Sequence, residues 1–349
     1  MRSFLKPAAG LTCLFALTVT GCSSSSDDSS DAAPSPPQKA STAPSESASS
    51  TPSSTPSSST SYAPYVSVTT ASDMDGTGSP TTYNLSFAIA SGSSCTPKWN
   101  GTTAIDNAAV KSRIAALKTS GATVRVSFGG ASGKELAETC TSVTALAKAY
   151  GEALDGAGST QADFDIEGDT LTDSASVALR SKAIAVLQKE RTDLKVSFTL
   201  PVMPSGLDSD SLALLESAND NAVAVSTVNI MTMNYGESYT KDMGDYAITS
   251  ATATHTQLKK VFGLSDAGAW QGMALTSMIG VNDVSGETFS LSDAAQVRAF
   301  AEEKEIAWVS MWSTFRDQQC ESGSSDDDAA TDCSGVTQSS GAFGEAFAG

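Results

Sequence analysis

Hydrophobic residues follow two different spacings along residues 62–349. Short apolar runs with alternating polar positions predict strands, and stretches with apolar residues three and four apart predict helices. Eight strands are predicted, at Tyr65–Thr69, Tyr83–Ile89, Thr123–Phe128, Ala162–Glu167, Lys195–Leu200, Thr227–Met233, Gly272–Met278 and Ile306–Met311. Six helices are predicted between them, at Ala104–Ser120, Val143–Ala157, Ser174–Glu190, Leu212–Asn221, Tyr246–Phe262 and Leu291–Lys304.

The regular alternation of strands and helices favours a parallel α/β domain over residues 62–349. Eight such strands suit a (β/α)8 TIM barrel, whose usual size is about 250 residues. An open doubly wound sheet is the alternative. No GxGxxG motif follows the first predicted strand, so a dinucleotide site is not indicated, and we expect no cofactor.

The first 61 residues predict export and a tether. Arg2 and Lys6 precede an apolar run at residues 11–19 that is too short to span a bilayer, which is typical of an export signal. Residues 19–22 resemble a bacterial lipobox ending at Cys22. We therefore expect a lipoprotein signal peptide over residues 1–21 and a lipid on Cys22, so that membrane contact comes only through this lipid. Ordinary cleavage and free secretion are the alternative.

Residues 22–61 predict a disordered linker. From residue 23 to residue 60 the chain contains no aromatic and no large aliphatic residue, and Ser, Pro, Thr, Ala and Asp dominate it. Such a segment cannot bury enough apolar surface to offset the entropy of ordering it. We expect this linker to hold the folded domain away from the membrane.

Composition narrows the classes of function. The chain has 21 Lys and Arg against 39 Asp and Glu, a net charge of −18, which argues against binding to a phosphate backbone. It has one histidine, His255, which leaves little room for a His-rich zinc site and allows a Ser-His-Asp triad only if His255 serves it. We assign His255 no role.

Four cysteines remain beyond the signal and the lipid-bearing position. An even number of cysteines in an exported protein predicts disulfides. Three pairings are possible, and we favour Cys320 with Cys333, which are close in sequence, and Cys95 with Cys140. The spacing lacks the tight CxxC pairs of a metal site, and no metal is expected.

The segment Asp163-Phe164-Asp165-Ile166-Glu167 carries the most specific chemistry. Successive side chains of a strand point to opposite faces, so the three acids share one face and the two apolar residues share the other. In a barrel the acids would point into the interior, where like charges are costly without protons, hydrogen bonds or a ligand. An edge strand with a solvated acidic face and a calcium site are the alternatives.

The acidic strand resembles the DxDxE core of glycoside hydrolase family 18, the chitinase family, on its fourth barrel strand. Three more segments occur in the family's order, each at the end of a predicted strand. Ser127-Phe128-Gly129-Gly130 resembles the SxGG motif, Met231-Thr232-Met233-Asn234-Tyr235-Gly236 resembles the Met/Gln-x-Tyr motif, and Met311-Trp312 stands where the family carries a tryptophan floor. The resemblance covers nearly the whole span from residue 62 to about residue 333.

The sequence departs from the family pattern at two positions. Thr160 stands at the outermost acid position of the fuller DxxDxDxE motif, and Asn234 stands where relatives often have an aspartate. The register of the sixth strand is ambiguous by two residues. We take Tyr235 as the functional tyrosine, with Met233 two residues before it.

The resemblance implies a substrate-assisted reaction in which the sugar's own 2-acetamido group attacks the anomeric carbon. It implies that Glu167 is the general acid and base, and that Asp165 stabilises the oxazolinium ion. Asp163 would share a proton with Asp165, and Tyr235 would donate its hydroxyl to the acetamido oxygen.

Further residues are implied around the substrate. Trp312 would stack on the sugar at the cleavage point, and Met233 and Asn234 would lie beside it. Ser127 would hydrogen-bond Asp163, and Gly129 and Gly130 would allow a tight turn. Trp99 is either a further sugar platform or a loop anchor.

These residues together imply a monomeric chitinase that hydrolyses β-1,4 bonds in chitin or N-acetylglucosamine oligomers. An endo-β-N-acetylglucosaminidase acting on N-glycans needs the same groups and remains an alternative. A chitin-binding lectin on the same barrel and a calcium-binding module are the non-catalytic alternatives.

Overall fold

The computed structural model describes residues 60–322 and 332–349. The predicted signal peptide, most of the predicted linker and Cys22 lie outside these residues. The strands are β1 (Ser61–Tyr62), β2 (Tyr65–Ser67), β3 (Thr82–Ser91), β4 (Ser94–Trp99), β5 (Thr103–Ala104), β6 (Thr123–Gly129), β7 (Gln161–Asp165), β8 (Lys195–Pro201), β9 (Val225–Met231), β10 (Met273–Met278), β11 (Gly280–Val281), β12 (Thr288–Phe289) and β13 (Trp308–Trp312). The α-helices are α1 (Ala108–Leu117), α2 (Val143–Ala157), α3 (Gly168–Thr172), α4 (Ser174–Glu190), α5 (Ser209–Asp220), α6 (Met243–Phe262), α7 (Asp266–Gln271), α8 (Leu291–Lys304) and α9 (Ala342–Ala348).

The parallel strands close into a barrel. In order around the sheet, β3, β6, β7, β8, β9, β10 and β13 each pair in parallel with the next. Residues 61–67 close the ring, because β1 pairs in parallel with β13 and β2 pairs in parallel with β3. The predicted TIM barrel is confirmed, and the open doubly wound sheet is not the fold.

Local signals place several helix ends where the sequence predicts them. Helices α2, α4 and α8 have the predicted bounds. The hydroxyl of Ser142 accepts a hydrogen bond from Ala145 N at the start of α2, and Gly158 ends this helix at φ 57°. Helix α1 begins later than predicted, at Ala108, because Asn107 caps it with two side-chain hydrogen bonds.

Antiparallel additions lie outside the strand–helix alternation. Strands β3, β4 and β5 form a meander, and β11 pairs with β12 in a hairpin after β10. The predicted disulfides are confirmed: Cys95 on β4 is bonded to Cys140 before α2, and Cys320 is bonded to Cys333. The first of these bonds joins the meander to the main body of the barrel.

The apolar core lies between the barrel and its helices. Phe164 points outward from β7 and contacts Phe128, Tyr150 and Phe198 on neighbouring elements. The opposite face of β7 therefore points into the barrel, as its alternation predicts. Among the helices of the described residues, none is long and apolar enough to cross a membrane.

Candidate active site

Asp163 lies inside the barrel and accepts hydrogen bonds from four hydroxyl groups. It is 1% exposed. Burial, and the negative charges of Asp163 and Asp165, raise the pKa of Tyr65, so that its hydroxyl keeps its proton and donates it. The four donors are Tyr65 at 3.0 Å, Ser127 at 2.7 Å, Ser197 at 2.6 Å and Thr199 at 2.9 Å. This set of donors fixes the position of the Asp163 carboxyl group inside the barrel.

Asp165 and Glu167 form a coupled carboxyl pair at the carboxyl end of β7. A hydrogen bond joins their side chains. Burial is the main reason that the pKa of Asp165 lies well above its ordinary value, and the charges of Glu167 and Asp163 add to it. Burial also raises the pKa of Glu167, and Asp283 raises it further, whereas the hydrogen bond from Asp165 lowers it. The pair is therefore built to retain a proton, which general acid catalysis requires.

The surroundings of Asp163 and Asp165 differ. Asp163 is surrounded by hydroxyl donors, whereas Asp165 is coupled to Glu167. Asp165 Oδ1 is buried without a hydrogen-bond partner among the described residues. The expected sharing of a proton between Asp163 and Asp165 stays a prediction.

Gly129 and Gly130 shape the backbone beside the acids. Gly129 has φ 96° and Gly130 has φ 87°, a region that side chains with a Cβ rarely adopt. A Cβ on Gly129 would collide with the carbonyl oxygen of Asp165, and Gly130 N donates to that same oxygen at 3.0 Å. The glycines allow β6 to approach the end of β7, so they position the acids and do not line the cavity.

A cavity of about 650 Å³ opens over Asp165 and Glu167 at the carboxyl ends of the strands. This is the end of a TIM barrel that carries active sites. The cavity is lined by Tyr65, Phe87, Ile89, Asn100, Ala131, Ser132, Gly133, Asp165, Glu167, Thr199, Pro201, Val202, Met203, Asp208, Met231, Met233, Asn234, Thr276, Met278, Asp283 and Trp312.

Aromatic rings form one wall of the cavity. Trp312, at the end of β13, stacks against Phe87 with ring centres 5.6 Å apart. Tyr65 and Phe315 each pack edge-to-face with Trp312, with ring centres 5.9 Å and 5.8 Å from its own. Such a surface suits the apolar face of a sugar ring, and Trp312 lies where the resemblance places it.

The opposite wall carries Met233, Asn234 and Asp283. Asn234 has φ 54°, and its amide donates to Asp283 Oδ2 at 3.0 Å. Its side-chain oxygen accepts from Val284 N at 3.2 Å. Asn234 thus holds Asp283, from the turn after β11, at the cavity beside Glu167.

Tyr235 does not reach this cavity, and its predicted role is corrected here. Its ring is 4% exposed and packs against Tyr239 and Tyr246. Its hydroxyl accepts a hydrogen bond of 3.4 Å from Ser250 on α6. The left-handed turn at Asn234 sends the next side chain away from the barrel mouth, which the sequence motif does not reveal.

Trp99 is likewise corrected from a sugar platform to a structural anchor. It lies on β4, is completely buried, and donates to Ile105 O at 3.4 Å. Of the other predicted residues, the structure brings Asp165, Glu167 and Trp312 together with Met233 and Asn234 around one cavity.

Sequence reasoning missed several residues of the site. Tyr65 belongs to none of the motifs, although the sequence predicts a strand that begins at this residue. Phe87 lies on barrel strand β3, and Asp283 is brought to the cavity by the β11–β12 hairpin. Within the described residues no group of three or more acidic, histidine or cysteine side chains is arranged to hold a metal.

The chain is similar in sequence to two known proteins. The chain is 34% identical over 249 residues to a probable bifunctional chitinase/lysozyme of Escherichia coli, covering 67% of this chain and 28% of that protein. It is 35% identical over 226 residues to endochitinase 11 of Metarhizium anisopliae, covering 61% of this chain and 43% of that one. The chain thus spans less than half the length of either relative. No family model matches it.

The solved structures decide the fold family. The catalytic domain of a hyperthermophilic chitinase from Pyrococcus furiosus superposes with a TM-score of 0.72 at 29% identity, covering 82% of this chain and 93% of that one. The barrel therefore shares its fold with this chitinase domain. More distant family 18 chitinases, at 12% and 14% identity, share the fold with TM-scores of 0.53 and 0.52.

Proposed function

We propose that this family 18 barrel is a chitinase, which hydrolyses β-1,4 bonds between N-acetylglucosamine units by a substrate-assisted, retaining mechanism. The coupled pair of Asp165 and Glu167 under an aromatic wall is the observation that carries this proposal. The chitinase relatives support it, and a structure of the Pyrococcus furiosus enzyme is a complex with chito-oligosaccharides.

The first step breaks the glycosidic bond. Glu167 donates its proton to the glycosidic oxygen while the 2-acetamido oxygen attacks the anomeric carbon, and the products are an alcohol and an oxazolinium ion. The raised pKa of Glu167 keeps that proton available near neutral pH. Asp165 accepts a hydrogen bond from the acetamido N–H and stabilises the positive charge of the oxazolinium ion.

The second step restores the acid. Glu167, now a carboxylate, removes a proton from water, which attacks the anomeric carbon and opens the oxazolinium ring. Two inversions at the same carbon retain the β configuration. The acetamido oxygen needs a hydrogen-bond donor in both steps, and Asn234 is the side-chain amide that the end of β9 presents there in place of the tyrosine hydroxyl.

The decisive test is Glu167→Gln. The substitution keeps the size of the side chain and removes the transferable proton, so hydrolysis of chitin oligosaccharides should fall by about 10²–10⁴-fold while binding persists. Asp169→Asn, an exposed acid two residues further along, is the matched control and should retain activity. Activity retained in the Glu167 variant would contradict the assignment.

The stereochemistry of the product tests the mechanism separately. The first product seen by proton NMR should be the β-anomer, and an α-anomer would exclude the oxazolinium route.

Colloidal chitin assayed beside a high-mannose glycoprotein separates chitinase activity from N-glycan cleavage.

The pattern of products tests where the chain of sugars is cut. The segment between β10 and β13 holds the β11–β12 hairpin and α8, with no inserted domain to wall a deep groove. We expect an open cleft and internal cleavage, so labelled oligomers of increasing length should give mixed products. Release of a single short product from one end would contradict it.

We also infer that residues 1–61 export and tether the enzyme. The two disulfides support an oxidising compartment. Mass spectrometry of the mature N-terminus should find a lipid on Cys22, which Cys22→Ala should abolish. An unmodified N-terminus at another residue would favour free secretion.

A further inference from the structure

The turn after β9 decides which side chain reaches the cavity wall. Asn234 lines the cavity, whereas the next residue, Tyr235, is buried away from it. The turn has positive φ at two positions, 54° at Asn234 and 118° at Gly236. A residue with a Cβ adopts such a φ only where its surroundings hold it there. We therefore looked for the contacts that hold this turn, and they come from the β11–β12 hairpin.

Glu287 holds the backbone of the turn. It lies immediately before β12 and is 1% exposed. Its Oε1 accepts a hydrogen bond from Gly236 N at 2.7 Å. Burial raises the pKa of Glu287, and the backbone N–H groups of residues 234–236 oppose this rise. Successive N–H groups of one turn thus face a single carboxyl group, an arrangement that favours a bound anion.

The same hairpin also holds the side chain of Asn234. The amide of Asn234 donates to Asp283 Oδ2 at 3.0 Å, and its oxygen accepts from Val284 N at 3.2 Å. Glu287 N in turn donates to Val284 O at 3.2 Å. The hairpin therefore fixes the turn at two points, its backbone through Glu287 and its side chain through Asp283 and Val284.

The contacts of Glu287 with the turn are the main ones that its carboxyl group makes. Within the described residues no Lys, Arg or His forms an ion pair with it. Its Oε2 is buried without a hydrogen-bond partner among the same residues. A buried carboxyl group is costly unless its contacts replace the lost water, so the turn is the partner that accounts for this acid.

We propose that Glu287 is a positioning residue for hydrolysis: by holding the backbone of residues 234–236, it keeps the amide of Asn234 at the cavity. Glu287 does not line the cavity, so it acts through Asn234. The amide has two N–H groups, of which one donates to Asp283 and the other can donate to the acetamido oxygen. The proposal rests on the proposed chitinase function, in which the amide makes that second hydrogen bond.

Two substitutions separate the contact from the charge. Glu287→Gln removes the charge but keeps an acceptor oxygen at the place of Oε1, and its NH₂ group replaces the unpartnered Oε2. Glu287→Asp keeps the charge but draws the carboxyl group back by one carbon from Gly236 N.

Asp317→Asn is the matched control for loss of stability. Asp317 is also a buried acid that accepts backbone hydrogen bonds, from Phe343 N at 3.0 Å and from Gly344 N at 2.8 Å. It lies outside the cavity lining. This variant should lower Tm and leave kcat on a chitin oligosaccharide unchanged.

The order of the two Glu287 variants is the expected result. Glu287→Asp should lower kcat by about 10- to 100-fold, because a small displacement of a group that positions the substrate is costly. Glu287→Gln should keep kcat within about fivefold, since the hydrogen bond to Gly236 N remains. Thermal unfolding checks that each variant is folded. A folded Glu287→Gln variant that loses more activity than Glu287→Asp would overturn the proposal, as would full activity in Glu287→Asp.

A double-mutant cycle tests whether Glu287 acts through Asn234. Asn234→Ala alone should lower kcat, and adding Glu287→Asp should lower it no more than about twofold further, because both changes remove the same interaction with the substrate. Losses that multiply would overturn the proposal, as would full activity in Asn234→Ala.

A further measurement does not depend on activity. Hydrogen exchange followed by mass spectrometry should show faster exchange of the amides of residues 234–236 in Glu287→Asp, with little change in Glu287→Gln and Asp317→Asn. Unchanged exchange in Glu287→Asp would overturn the inference even if the enzyme proved inactive on chitin. Inactivity of the unsubstituted enzyme on every chitin oligomer would instead reject the proposed function.

Discussion

At the scale of single residues, Asp283 acts on Glu167, the proposed general acid. Its negative charge is one cause of the raised pKa of Glu167. In the proposed mechanism Glu167 must be protonated to act, so activity should fall as pH rises through this pKa. Asp283→Asn lowers the pKa and should move the alkaline limb of kcat/KM to lower pH, by about half a unit at low salt.

A control for this prediction comes from the same surface. Glu237→Gln removes an exposed charge three residues after Asn234, outside the cavity lining, and should leave the alkaline limb in place. A limb that stays unchanged in Asp283→Asn would show that burial alone raises the pKa of Glu167.

Tyr235 offers a second prediction at this scale. Its hydroxyl is buried against Ser250 on α6, away from the cavity. Tyr235→Phe should therefore keep kcat within about twofold and cost about 1 kcal/mol of stability from the lost hydrogen bond. Asn234→Ala removes a side-chain amide that lines the cavity, and it should lower kcat more than Tyr235→Phe does. A large loss of kcat in the tyrosine variant would restore its catalytic role.

At the scale of elements, the two disulfides fix segments that lie outside the strand–helix alternation of the barrel. Cys95–Cys140 closes 45 residues and fixes β4, which pairs with β3 from Ala88, the residue after Phe87. Cys320–Cys333 closes only 13 residues. Loop entropy predicts that Cys95→Ser with Cys140→Ser costs about 1 kcal/mol more than Cys320→Ser with Cys333→Ser. Urea unfolding measures both, and equal losses would mean that strain or residual structure dominates.

The sequence predicted the bounds of several helices but missed several short strands. Amphipathic spacing with end caps placed α2, α4 and α8, because burial of one face and local capping act within the segment itself. The β4, β5, β11 and β12 strands were missed. Each is short and gains its hydrogen bonds only from a partner strand, so its own sequence carries little signal.

At the scale of the whole molecule, buried acids and net charge act in the same direction. Burial raises the pKa values of Asp165, Glu167, Glu287 and Asp317. A raised folded-state pKa stabilises the protein below the unfolded value and loses that contribution as pH rises through the folded value. The net charge of −18 adds repulsion at higher pH.

Stability should therefore fall from mildly acidic to alkaline pH. We expect a higher Tm near pH 5 than near pH 8, measured by calorimetry at constant salt. Asp165→Asn removes one of the most strongly shifted acids and should flatten this dependence. A Tm that rises from pH 5 to pH 8 would contradict the prediction.

The sequence by itself determined the barrel and the inward face of Asp163, Asp165 and Glu167. These follow from periods of two and of three to four residues, which depend on neighbours along the chain. The position of Trp312 at the end of a strand followed from the family resemblance. Only the tertiary structure decided that Asp165 is coupled to Glu167 and that Tyr235 turns away. It also decided that Asp283 reaches the cavity from the turn after β11. Burial, hydrogen bonds and charge act through space, and no spacing within one segment encodes them.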